Sequence, residues 1–174
     1  SILVEGDIFD PNVLENIELL TEHVKNKYSI VTKSYSIVDV IKKMHSGFNG
    51  GDPNLEVIPG DRDLISQYMF LYSITSDGDD FDVLLDDIED PNHTQILLRM
   101  EEVRTSTIAD IVDDTEQFIQ ANFYDDAPME LTGGAALLGV LSRMIVNGQL
   151  LSLLVSVLVI FIIMAIVFRS FVGG

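Results

Sequence analysis

The sequence predicts an α+β domain followed by a helix that crosses a membrane, and three observations carry that reading. Residues 150–168 form an apolar run without a charge, Pro or Gly. In the preceding part a strand–helix–strand pattern occurs twice, at residues 2–33 and 94–132. The 174 residues carry a net charge of −18 and no Cys. About 134 of them precede the last forty, enough for one compact domain with its own core.

The apolar run sets the frame. At 1.5 Å per residue, about 19 residues span about 28 Å, close to the hydrocarbon thickness of a bilayer. About fifteen are Leu, Ile, Val or Phe, each worth roughly −0.3 to −0.6 kcal/mol on insertion, which outweighs the two Ser. A buried core helix would keep a polar stripe, and this run has none. Upstream, Leu137, Leu138, Leu141, Met144 and Ile145 recur at helical spacing while Ser142, Arg143 and Asn147 fall elsewhere. That is the stripe of an amphipathic stalk over residues 135–147. Either one helix runs from about 135 to 168, or an interfacial helix bends at Gly148. The span itself is expected at 148–169, with 170–174 starting the next loop.

Before the stalk, residues 2–7 read as a strand, and Asp10-Pro11 opens a helix as N-cap and first-turn Pro. Val13, Leu14, Ile17, Leu20 and Val24 form its buried face, and residues 28–33 return as a strand. Ser36 with Asp39 forms a capping box before a helix carrying Ile37, Val40, Ile41 and Met44. Residues 46–54 are a Gly-rich loop, and Asp61 caps another helix. Residues 75–82 are an acidic turn, and 84–89 suit either a helix end or a strand. Residues 94–101 alternate as a strand, Ser106 starts a long helix, and 128–132 form the last strand. Gly133-Gly134 frees the chain to turn into the membrane helix. Two strand–helix–strand units joined through a helical insertion, about 36–90, describe a ferredoxin-like split βαβ fold over residues 1–134.

Composition excludes several functions. A strongly acidic surface repels phosphate backbones, so no nucleic-acid partner is expected. It also resists lying flat on anionic lipid, as suits a domain held off the bilayer. Without Cys there are no disulfides, thiolate metal sites or Cys nucleophiles.

Catalytic, cofactor and metal sites are not expected. His23, His45 and His93 lack ligand spacing and read as surface or capping residues. Asp77, Asp79, Asp80 and Asp82 mimic a calcium loop, but the sixth position is Asp82 rather than Gly and the twelfth is Ile88 rather than Glu. No nucleophile elbow, P-loop or dinucleotide fingerprint is present. Asn92-His93-Thr94 is a formal glycosylation sequon. In the span, Gly148, Ser152 and Ser156 recur every fourth residue, a spacing that lets another helix approach closely; Ser merely tolerated in an apolar span is the alternative. No Asp, Glu, His or Lys follows residue 134, so a proton relay would lie elsewhere.

A set of short motifs in order gives the chain a family resemblance. Leu3-Val4-Glu5-Gly6-Asp7-Ile8-Phe9-Asp10-Pro11, Tyr35-Ser36-Ile37-Val38-Asp39-Val40, Ile58-Pro59-Gly60 with Gln67-Tyr68-Met69-Phe70-Leu71-Tyr72, Leu131-Thr132-Gly133-Gly134 and Val167-Phe168-Arg169-Ser170 resemble loops of the RND (resistance–nodulation–division) exporters. The nearest branch is the prokaryotic hydrophobe/amphiphile exporters related to the MMPL transporters. The resemblance implies a porter domain outside the cytoplasmic membrane and the helix that re-enters the bilayer. It also implies partners: the remaining membrane helices, a second porter loop, the lipid bilayer and a hydrophobic or amphiphilic substrate. The expected function is thus a fragment of a proton-driven exporter excised from a larger membrane protein, and the alternative is the ligand-sensing domain of a membrane receptor.

Overall fold

A computed structural model of the chain describes residues 1–75, 83–87, 91–101, 105–123 and 128–171. The elements are β1 (Ile2–Glu5), α1 (Pro11–Lys27), β2 (Val31–Tyr35), α2 (Ile37–Phe48), a short 3-10 turn (Pro53–Leu55), α3 (Arg62–Thr75), β3 (His93–Met100), α4 (Thr105–Asn122), β4 (Met129–Leu131) and α5 (Gly133–Phe171).

The fold is α+β. One four-stranded sheet has the order β2-β3-β1-β4, and every neighbouring pair is antiparallel. β3 therefore lies between β1 and β2, the two strands that α1 connects. Ile2 and Val4 of β1, Ile96 of β3 and Met129 of β4 are buried, as are Leu14, Ile17, Leu20 and Val24 of α1. Each such side chain contributes roughly 1.5–3 kcal/mol by leaving water. Ile37, Ile41, Ile65 and Met69 belong to the same core, so the helices between β2 and β3 are not a separate unit.

The helix starts follow local chemistry. The Asp10 carboxylate accepts the Asn12 N–H at 2.9 Å, and Pro11 occupies the first turn, where its missing N–H costs nothing. The Asp39 carboxylate accepts from Ser36 N at 2.9 Å and Ser36 Oγ at 3.2 Å, which is the reach-back half of the capping box. Asp61 accepts from Asp63 N at 2.9 Å at the head of α3.

Boundaries move where a turn claims residues that look strand-like. Tyr28 caps α1 by donating its N–H to Val24 O, and Val31 N then donates to Tyr28 O. β2 consequently starts at Val31 instead of residue 28 and runs through Tyr35. β1 ends at Glu5 because Gly6 turns at φ 135° and donates to Asn92 O. α2 runs through Phe48, into the stretch expected as loop. The ambiguous stretch after residue 83 makes one isolated bridge, Leu85 to Thr94. Most of the acidic turn, residues 76–82, lies outside the described residues.

At the end of β4 the Thr132 N–H donates to Ser1 O at 2.9 Å, and the Ser1 ammonium donates to Thr132 O at 3.2 Å. Gly133 then turns at φ 82°, and a Cβ there would lie 3.3 Å from Ser1 Oγ. Only Gly combines that backbone conformation with that approach. α5 follows as one helix of 39 residues, about 58 Å long. It passes Gly148 without interruption and continues two residues beyond 169, the expected end of the span.

Candidate functional site

The feature that joins the domain to the long apolar helix is the seam between α4 and α5, consecutive helices linked through β4. Gly139 of α5 is buried against Val112 of α4: a Cβ at 139 would sit 3.3 Å from Val112 Cγ2 and 3.4 Å from Val112 Cβ. The missing side chain lets the two backbones come close, and Val112 is buried by the contact side of its helix. Nearby Thr115 is buried but donates its hydroxyl to Ile111 O at 2.7 Å, so its polar atom is satisfied.

α4 is in turn clamped to α1. The His23 ring stacks on Phe118 at 3.9 Å between centroids and 16° between planes. His23 Nε2 lies 3.1 Å from Asp114 Oδ2, and Lys27 donates to Asp114 Oδ1. Burial, and then the Asp114 carboxylate that accepts its proton, push the Tyr28 phenol up to about 12. Desolvation raises the Asp114 carboxyl, but donation from Lys27, His23 and Tyr28 outweighs it and holds the group below the usual carboxylate range. Asp114 thus gathers three side chains of α1 and its C-terminal cap onto the helix that carries α5.

Among the described residues, most of the stalk residues and packing candidates read from the sequence face away from this contact. Leu137, Leu141, Met144 and Ile145 are exposed, and no atom approaches within 4 Å of a Cβ built at Gly148. Ser152 and Ser156 are exposed as well. Residues 137, 141, 144, 148 and 152 are spaced as one helical stripe. Gly139 precedes Gly148 by nine residues, about two and a half turns, so it occupies the opposite face. The side chain of Leu138 lies outside the described residues. Ser156 donates its hydroxyl to Ser152 O at 2.8 Å, so this polar group is satisfied inside its own helix. The start of α5 is laid along α4 through Gly139, a contact that the reading of residues 135–147 as an amphipathic stalk did not include. Gly139 was not among the expected packing residues. Its signal was a Gly inside a helical pattern four residues after Ala135, a small-residue spacing parallel to the one noted at Gly148.

Other polar groups are partnered locally. The three histidines meet different partners: Asp114 for His23, Tyr68 Oη at 3.1 Å for His45, and Asp86 at 2.9 Å for His93. Among the described residues no group of three or more His, Cys, Asp or Glu could hold a metal ion. In the sequon, Thr94 is buried and donates its hydroxyl to Leu84 O at 2.9 Å. Asp77, Asp79, Asp80 and Asp82 of the acidic cluster lie outside the described residues.

Within α5, Gly139–Phe168 is long and apolar enough to cross a membrane, and its most apolar window is nowhere buried by the domain. No curated protein and no solved structure matches the chain. The model of the MMPL family matches residues 90–173, a range that includes β3, α4, the seam and the apolar helix. Over residues 90–173 the chain is therefore similar to the MMPL family, consistent with a fragment of an RND-type membrane transporter.

Proposed function

We propose that the chain supplies a porter loop of a proton-driven exporter of lipids or other hydrophobic or amphiphilic compounds, together with the helix that returns this loop to the bilayer. The observation that carries the reading is the single helix α5, packed on α4 through Gly139 and Val112 and continuing apolar and uncovered to Phe168. A tilt of the membrane part is delivered to α4, and through the Asp114 cluster to α1 and the sheet, as rigid-body motion. The strand order β2-β3-β1-β4 supports a ferredoxin-like porter module.

In this reading the domain lies on the extracytoplasmic side. The exposed face through Leu137, Leu141, Met144, Gly148 and Ser152 meets neighbouring membrane helices of the same transporter, and the domain works beside a second porter loop. Residues 135–174 hold no Asp, Glu, His or Lys, so the protons are taken up on other helices.

The test is efflux of a fluorescent amphiphile from cells making the full-length transporter. Efflux should stop when a protonophore collapses the gradient and should require an intact α4–α5 seam. Efflux that survives the protonophore but fails on ATP depletion would overturn the proton-driven reading.

A further inference from the structure

β3 is longer than the strand beside it. β2 pairs with it only from Tyr35 opposite Leu97 to Val31 opposite Met100. On that same edge the upper part of β3 is covered by residues 83–87. Leu85 bridges to Thr94, Gln95 N donates to Leu84 O at 3.1 Å, and the Gln95 side-chain amide donates to Val83 O. Asp86 N reaches His93 O at 3.4 Å. On the opposite edge β1 continues the ladder, with Glu5 opposite His93.

His93 stands where these two neighbours meet. Its Nδ1 lies 2.9 Å from Asp86 Oδ2, and its Nε2 lies 3.6 Å from Glu5 Oε1. Asp86 Oδ1 also accepts the N–H groups of His93 at 3.0 Å and Asn92 at 3.2 Å. Thus one imidazole faces a carboxylate from residues 83–87 on one side and a carboxylate from β1 on the other. Neutral imidazole can donate to Asp86 alone, whereas imidazolium keeps that bond and also faces Glu5 as an ion pair at 3.6 Å. β2, the third neighbour of β3, ends short of this position.

We propose that His93 is a pH-sensitive clasp that holds residues 83–87 as a strap on the edge of β3. With the clasp closed, the strap roofs a cleft of about 230 Å³ lined by Leu3, Leu84, Leu85 and Gln95. With it open, the cleft widens and the edge N–H and C=O groups of His93 and Gln95 become available for strand pairing.

The electrostatics run in the same direction. The hydrogen bond to Asp86 is the largest influence on His93 and raises it above its ordinary 6.5; desolvation, next in size, lowers it, and the charges of Asp86 and Glu5 add to the rise. Desolvation raises Asp86, but donation from His93 outweighs it and holds that carboxyl below its ordinary 3.8. The contribution of His93 is therefore full below 6.5 and is lost as the pH rises through its folded value. The contribution of Asp86 is present above 3.8 and is lost as the pH falls through its folded value. The strap is firmest between these limits and loosens toward alkaline pH.

The test is amide hydrogen exchange on the full chain in detergent micelles, corrected for intrinsic exchange, with the Gln95 and Asp86 amides as reporters. Protection at these amides should fall about two- to fivefold between pH 5.5 and pH 8.5, as expected for exposed ion pairs. In His93→Gln, which keeps a donor but cannot take a proton, the same amides should show no such step. A step of equal size in His93→Gln, or an equal step at Ile17 and Leu20 of α1, would overturn the clasp. The first would place the titration elsewhere, and the second would make it a property of the whole domain.

Discussion

Val112 of α4 sits directly against Gly139 of α5, where a Cβ would lie 3.3 Å from Val112 Cγ2 and a larger side chain would find no room. The long apolar helix is therefore joined to the domain by backbone proximity as well as by the short connection through β4 and Gly133. A contact of this kind is sensitive to single carbon atoms.

Gly139→Leu is expected to destabilise the chain by about 1–3 kcal/mol, the usual cost of overpacking a closed contact. Gly139→Ala should be close to neutral. Ala favours the helix by about 1 kcal/mol over Gly, while Val112 must yield by a few tenths of an ångström. Denaturant unfolding in detergent compares the two. Equal stability of the Leu variant and the unsubstituted chain would mean that α5 is not held at this point.

Asp114→Asn probes the clamp between α1 and α4. The Asp114 carboxyl is held below its ordinary 3.8, so its stabilisation is present above that pH and is lost as the pH falls through its folded value. Lys27 is half exposed, which limits the expected loss to about 0.5–1 kcal/mol at pH 5–7. Unfolding free energies from pH 2 to pH 7 should converge for the two proteins at the acidic end. A difference that persists unchanged at pH 2 would show that packing of the side chain, not its charge, is responsible.

If α5 transmits motion, its backbone must be unbroken between the seam and the bilayer. Ser142→Pro removes one helical hydrogen bond and clashes with the preceding turn, at about 3 kcal/mol or more. If the proposed export function holds, the full-length transporter with Ser142→Pro should insert and keep its folded domain yet lose efflux, while Ser142→Ala exports normally. Unmodified efflux by a correctly inserted Pro variant would reduce α5 to a tether.

Ser152 lies on the exposed stripe and Leu153 lies off it. Ser152→Leu should weaken co-purification of this segment with the remaining spans of the transporter, whereas Leu153→Ile should be nearly silent. The same behaviour from both would show that helix neighbours do not use this face.

Much of this architecture is written locally. The capping residues Asp10, Asp39 and Asp61 begin three helices as their chemistry requires. The alternation around Ile2, Val4 and Ile96 places those residues in the core, and the length of the apolar run makes α5 a candidate span. These signals depend on neighbours within a turn or a pleat, so a linear reading recovers them. Even the displaced start of β2 reflects a local contest, in which Tyr28 serves the end of α1 before the strand can begin.

What the sequence by itself determined, then, is the order of elements, their apolar faces and the presence of a helix long enough for a bilayer. Only the tertiary structure decided which of the two faces of α5 meets the domain. The amphipathic stripe through Leu137, Leu141 and Met144 is the stronger pattern in the sequence, yet it points away, and the face with Gly139 is the one buried. The physical reason is that a close helix contact needs a small residue at a point set by the partner helix. The position of Val112 opposite that gap follows from the path of the chain through α4, β4 and Gly133, which no local spacing encodes. The same holds for His93: its two carboxylates come from residues 5 and 86, and only the register of β1 against β3 and the bridge from Leu85 to Thr94 bring them to one imidazole.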